Sequence, residues 1–262
     1  MDQHYRPGIQ ENYNTFPSRF PEGQGGGKGL ETLRISEEPW VPPNMDLLKR
    51  IFVINLEERK DRLEHVTKEF EKLGKPFERI DAIKHNDGAI GAQASHIKAL
   101  ELAVERDYEH ILICEDDITF VRPDIFLRSV AKFQESHPSK WDVLMISGVI
   151  YSSKGESYKP IEDHYCRLYE AQTCTGYVVN RPYYPTLLKN FKEGRKGHLE
   201  FGTRWDYAID AYWKPLQRRD EWYFLTPPTV VQYANWSNIE NQHADYERGM
   251  LCLHDVPVKL ED

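Results

Sequence analysis

Short apolar runs alternate with amphipathic stretches along this chain from about residue 48 onward. Ile51-Phe52-Val53-Ile54, Ile111-Leu112-Ile113-Cys114 and Trp141-Asp142-Val143-Leu144-Met145-Ile146 read as strands buried on both faces, the kind that build parallel sheets. After the first run, Leu63, Val66, Phe70 and Leu73 fall on one helical face, and Gly74 followed by Pro76 closes that helix. Pro76 to Ile80 reads as the next strand, completing a strand-helix-strand unit of right-handed parallel topology. Gly88-Ala89-Ile90-Gly91-Ala92 reads as a small-residue loop feeding a second helix with Ile97, Leu100 and Val104 on one face. Pro123 opens a third helix through about Ser136, and Pro182 a fourth. Thr173 to Val179 reads as a strand in which Gly176 allows close approach of a ligand or backbone. Trp205, Ile209 and Tyr212 form the apolar stripe of one more helix, and Trp222 to Leu225 and Thr229 to Gln232 are strands around Pro227-Pro228. Alternating strands and helices define an α/β domain.

The ends of the chain break this rhythm. Residues 1–47 are polar and irregular, with Gly23, Gly25, Gly26, Gly27 and Gly29 clustered ahead of Pro39, Pro42 and Pro43, and read as an extension. Residues 48–250 form the domain and 251–262 a tail. Ser147 to Tyr165, rich in glycine and serine, reads as a long polar loop. A hydrophobic content of 40% in 262 residues supports a sizeable core. The net charge of −8 argues against nucleic acid as partner, and makes a bridging cation necessary for any anionic ligand. Cys114, Cys166, Cys174 and Cys252 show no Cys-x-x-Cys spacing and read as reduced thiols. No signal peptide and no apolar run of membrane-spanning length is seen, so the expectation is a cytoplasmic protein without an integral membrane segment.

The chemistry concentrates where the second apolar run meets three carboxylates, Glu115-Asp116-Asp117. Ligands of α/β folds bind at the carboxyl ends of strands. On a continuing extended backbone Glu115 and Asp117 project to the same side, offering hard oxygen ligands for Mg²⁺ or Mn²⁺ and through it a diphosphate. Arg59 and Arg62 fall in the first turn of a helix, where the dipole disfavours cations unless a charged ligand lies near. Ser95 and His96 fall near the start of the second helix. Asp206 and Asp210 are four apart, which puts both carboxylates on one edge of the expected helix, where they repel.

Taken in order, these blocks resemble glycosyltransferase family 25, which contains lipooligosaccharide galactosyltransferases and collagen hydroxylysine galactosyltransferases. Ile51 to Leu56 with Arg59, Asp61 and Arg62 resembles the opening block, Gly91 with Ser95-His96 the second, and Cys114 to Asp117 the metal motif. Trp205 to Ile209 resembles the late acidic block, and Gln232 with Ser237-Asn238-Ile239 the closing one, so the likeness runs over roughly residues 48–245. Many bacterial members carry a cysteine where Ala92 stands.

The resemblance implies a GT-A type fold, a UDP-galactose or UDP-glucose donor, dependence on Mn²⁺ or Mg²⁺, and inversion at the anomeric carbon. It implies Glu115 and Asp117 as metal ligands with His243 completing the shell, and Asn55, Arg59, Arg62, Ser95, His96 and Asp116 as donor contacts. Asp206 is the expected base, with Asp210 second, and Trp205, Tyr207 and Trp236 are expected to stack on sugars. The acceptor is expected to be a glycan or a hydroxylysine-containing protein. The competing readings are a catalytically silent relative serving as a binding module and, further off, a metal-dependent phosphohydrolase.

Overall fold

In the computed structural model, residues 45–150, 155–202, 204–237, 239 and 242–253 are described. The expected extension lies outside them up to residue 44, as does the tail from residue 254. The described residues fall in one compact unit.

The chain runs β1 (Ile51–Asn55), α1 (Lys60–Leu73), β2 (Glu78–Asp81), α2 (Gly88–Glu105), β3 (His110–Glu115), β4 (Ile118–Phe120), α3 (Pro123–Ser136) and β5 (Val143–Met145). It continues through β6 (Val149–Ile150), β7 (Tyr158–Glu162), β8 (Tyr165–Leu168), β9 (Ala171–Gln172), β10 (Gly176–Asn180) and α4 (Tyr184–Phe201). Last come α5 (Ile209–Tyr212), α6 (Lys214–Arg219), β11 (Trp222–Leu225), β12 (Val230–Gln232), β13 (Asn235–Ser237), β14 (Gln242–Ala244) and α7 (Glu247–Met250).

Among the described residues, eight strands form the central sheet in the order β2-β1-β3-β10-β5-β11-β8-β7. Only β10 and β8 oppose the others, so the sheet is mostly parallel, as the α/β reading expects. Its central strands are apolar throughout because both faces are covered. Phe52, Ile113, Met145, Tyr177 and Phe224 face one core with α2 and α4, and Val53, Leu112, Leu144, Val178 and Tyr223 face the other with α1 and α3. Gly74 ends α1 in the left-handed conformation at φ 61°, as its sequence position indicated.

Four local expectations differ from the structure. Gly88 to Ala92 is the first turn of α2 rather than a loop, because the Asp87 side chain caps it, accepting from the Ala89 and Ile90 amides at 3.0 and 3.3 Å. Val104 is exposed while Ala99 and Ala103 are buried, so the inner stripe of α2 is built of smaller residues. Within the expected loop 147–165, residues 158–162 form β7, which pairs with β8. The helix expected over Trp205–Trp213 is broken. Trp205–Tyr207 is a single 3₁₀ turn, Ala208 is extended at φ −57° and ψ 141°, and α5 begins only at Ile209.

Candidate functional site

β1 and β3 are parallel neighbours with Ile54 opposite Glu115, so both strands end together and Asn55 arrives beside the three carboxylates. The chain then turns through Asp116 and Asp117 into β4, which pairs with β12 so that Gln232 lies opposite Ile118. This brings the Gln232 amide to both metal-ligand candidates. Its Nε2 donates to Glu115 Oε2 at 3.2 Å and lies 3.4 Å from Asp117 Oδ1. The two carboxylates expected on one side of the strand end therefore do converge.

Arg62, in the first turn of α1, faces the same cluster. Its Nη1 lies 2.8 Å from Asp116 Oδ1 and 3.2 Å from Asp117 Oδ2, and its Nη2 donates to the Trp236 carbonyl at 3.0 Å. Its buried Nε has no hydrogen-bond partner. Asn55 Nδ2 donates to Asp116 Oδ2 at 2.7 Å, and Arg79 Nε donates to Asn55 Oδ1 at 2.8 Å. Asp116 thus has one oxygen bonded to Arg62 and the other to Asn55, and it is buried. Arg59 pairs with Asp61 at 2.9 Å and reaches the Trp236 carbonyl at 3.4 Å.

Among the described residues, one guanidinium, Arg62, pairs with this group of three carboxylates, which leaves excess negative charge. Burial and the Glu115 charge push Asp117 up to about 7, against the pull of Arg62. Burial also raises Asp116, with Arg62 working the other way.

The second acidic position resolves into two different environments. Asp206 is exposed on the 3₁₀ turn and pairs with Arg204 at 2.7 Å. Asp210 is turned inward, where its Oδ2 accepts the Thr173 amide at 3.0 Å. Burial raises its carboxyl, and the Glu115 charge adds to the rise. The two do not share a helix edge, because the chain is extended at Ala208 between them. Thr173 holds φ 77°, an uncommon conformation for a β-branched residue, where the chain passes beneath Asp210.

Of the remaining candidates, His96 reaches the cluster and the others lie elsewhere. Ser95 lies buried in the body of α2, donating to the Gly91 carbonyl at 2.7 Å and accepting the Ile83 amide at 2.8 Å. His96 is also buried, with Nε2 3.4 Å from Glu115 Oε1. His243 is exposed on β14, opposite Trp236 in the β13–β14 hairpin. Trp205 and Trp236 are exposed as well, and Tyr207 stacks on Phe201 with ring centroids 5.9 Å apart. Among the described residues, no three His, Cys, Asp or Glu side chains are grouped to hold a metal ion. By sequence alone Gln232 is a member of the closing block with no role of its own, and Thr173 is only the start of a strand. Each acts through a partner about 40 to 120 positions away, and no local pattern records that.

A family model described as "Glycosyltransferase family 25 (LPS biosynthesis protein)" matches residues 48–88 and 86–207, well over half of the chain. The chain belongs to glycosyltransferase family 25. A curated Haemophilus influenzae protein named "Putative glycosyltransferase" is 29% identical to it over an alignment of 165 residues, with 53% of this chain and 57% of that protein covered. The chain therefore spans little more than half the length of that relative. Among solved structures, the A197 protein from STIV is 14% identical, with 82% of this chain and 100% of that one covered at a TM-score of 0.41. A UDP-glucose pyrophosphorylase complexed with UDP-glucose is 12% identical, with 69% and 74% covered at 0.41. The mostly parallel sheet flanked by helices agrees with the GT-A type class expected of a family 25 chain.

Proposed function

We propose that this family 25 chain is a metal-dependent inverting hexosyltransferase. It would move galactose or glucose from UDP-galactose or UDP-glucose to the hydroxyl of an acceptor such as a lipooligosaccharide sugar or a collagen-like hydroxylysine. The observation that carries this reading is the meeting of Glu115 and Asp117 on one amide, with Arg62, among the described residues, set against the cluster's charge.

The donor set suits a divalent cation. Mg²⁺ and Mn²⁺ are held by one or two carboxylates together with substrate phosphates, so two converging carboxylates suffice. Burial, with the Glu115 charge beside it, raises the Asp117 carboxyl to about 7, and a bound cation would favour its ionised form. Glu115 and Asp117 would hold the ion, and His243, exposed across the hairpin, is not needed for that set. Bound there, such a cation supplies charge neutralisation to the departing diphosphate.

The protein's own groups divide the remaining work. Arg62 offers a second cation beside the diphosphate, and Asn55 with Asp116 fixes Arg62. Asp210 is the base in this reading, because its carboxylate is turned inward onto the Thr173 amide while Asp206 faces solvent. Asp210 takes the acceptor hydroxyl proton as that oxygen bonds to the anomeric carbon and the bond from that carbon to the UDP oxygen breaks. The products are a glycoside of inverted configuration, UDP and a protonated Asp210.

The test is release of UDP from a panel of UDP-sugars with and without Mn²⁺, for wild type and Asp117→Ala, with β-linked sugars and hydroxylysine peptides as acceptors. Release that needs both Mn²⁺ and Asp117 is expected. Turnover that survives loss of either refutes the metal-dependent reading, and a folded protein with no turnover on any donor favours the silent binding module.

A further inference from the structure

We propose that Tyr177 and His96 form a buried relay that orients Glu115, so that both are positioning residues for the cation site. This rests on the metal-dependent reading above. His96 on α2 and Tyr177 on β10 are 1% and 0% exposed, with their rings stacked at 5.7 Å and the Tyr177 hydroxyl 2.8 Å from His96 Nδ1. Their neighbours are aromatic. Phe191 meets the His96 ring edge-on at 6.4 Å, and Trp213 meets Tyr177 at 5.5 Å. A phenylalanine and a leucine would fill such a place without burying polar atoms, so the polar pair calls for a reason. Its outlet is the contact from His96 Nε2 to Glu115 Oε1 at 3.4 Å.

The chemistry of the three groups sets the direction of both bonds. A carboxylate only accepts, so the proton of a neutral imidazole belongs on Nε2, and Nδ1 is left as an acceptor. The Tyr177 hydroxyl must then donate to it. Burial pushes that phenol well above its ordinary value, so it keeps the proton it gives. Glu115 is thereby held at both oxygens, Oε1 by His96 and Oε2 by Gln232 at 3.2 Å, from α2 and β12. Two N–H donors on separate rigid elements fix the plane of a carboxylate that is itself 21% exposed and open to a ligand. Partners that orient a metal ligand in this way typically account for about 10- to 100-fold in metal affinity.

Two readouts test the relay, the first without metal or turnover. Long-range proton–nitrogen spectra of the full-length wild-type protein should show His96 with its proton on Nε2, and Tyr177→Phe should move population toward Nδ1. A wild-type ring protonated on Nδ1 overturns the proposal. The second is Mn²⁺ titration calorimetry in the presence of UDP. Tyr177→Phe and His96→Leu should weaken the Mn²⁺ Kd by about 10- to 100-fold, and His96→Gln, which keeps an amide N–H near the place of Nε2, should recover most of the loss. Variants with a lowered Tm but an unchanged Kd would reduce the pair to packing and overturn the proposal alone. A wild-type protein that takes no Mn²⁺ would overturn the metal-dependent reading and this one with it.

Discussion

At the scale of single residues, the charge on Asp117 sets a pH dependence of stability with a definite sign. Its folded carboxyl stands at about 7, above the roughly 4 of an unfolded aspartate. The stability associated with the protonated form is therefore fully present below pH about 4 and is lost as pH rises through about 7. Asp117→Asn stays neutral throughout, so in the absence of metal its Tm should match wild type near pH 4 and exceed it at pH 8. A relief of about 1 kcal/mol corresponds to about 2–4 °C at this chain length. Thermal scans of both proteins at the two pH values check it, and an equal Tm difference at both would show that the charge is compensated. The same substitution should abolish metal-dependent turnover, so stability and activity move in opposite directions, as they do where a site holds like charges together. The two late aspartates separate just as cleanly. Asp210→Asn should lower kcat by about 10²- to 10⁴-fold, whereas Asp206→Asn, which only breaks an exposed pair with Arg204, should stay within a few-fold. A reversed order in steady-state kinetics would return the base to Asp206.

At the scale of elements, the sequence revealed strands and helices but not what joins them. The runs at Ile51, Ile111 and Val143 are apolar on both faces, and Leu63 to Leu73 keeps a helical stripe, so those elements and the carboxylates at the end of β3 were legible from residue type and spacing. The break at Ala208 was not, because its cause is tertiary. His198 on α4 sits with Nδ1 2.9 Å from Gln93 Oε1 and Nε2 2.7 Å from the Arg204 carbonyl oxygen, while the Gln93 amide nitrogen donates to the Tyr207 carbonyl. The 3₁₀ turn is thus tied to α2 and α4 rather than to α5. Gly176 carried a real signal with a different cause, since a Cβ there would meet the Ile146 side chain at 2.8 Å rather than a ligand. Gly197 gave no signal, although a Cβ on it would stand 2.2 Å from the Tyr207 ring. Gly197→Ala must displace that ring and the turn that leads to Asp210. It should destabilise the fold by about 1–3 kcal/mol, as overpacking does, and reduce kcat more than it weakens Mn²⁺ binding, because Glu115 and Asp117 lie on other elements. Equal losses in kcat and metal affinity would show that the turn supports the whole site. Gly194→Ala, where the nearest atoms are 3.2 Å away, is the milder control.

At the scale of the whole molecule, the site joins parts of the chain that are far apart in sequence. Arg62 links α1 to the end of β3 and, through the Trp236 carbonyl, to the β13–β14 hairpin, while Gln232 ties β12 to the same carboxylates. A ligand that replaces the missing positive charge there should therefore stabilise the domain as a unit rather than one loop. By mass action, a ligand at 100 times its Kd adds about 2.7 kcal/mol to the stability of the state that binds it. For a chain of this size that is a rise in Tm of about 5–10 °C. Mn²⁺ and UDP together should produce it, because each completes the other's coordination, and either alone should give a smaller shift. In Asp117→Ala the joint shift should collapse toward that of UDP alone, since the nucleoside keeps its own contacts when the carboxylate is lost. Scanning calorimetry across the four ligand conditions measures this directly. A joint shift equal to the sum of the separate ones would mean that nucleotide and metal bind without sharing a site, which the convergence of Glu115, Asp117 and Arg62 does not allow if the donor diphosphate binds there.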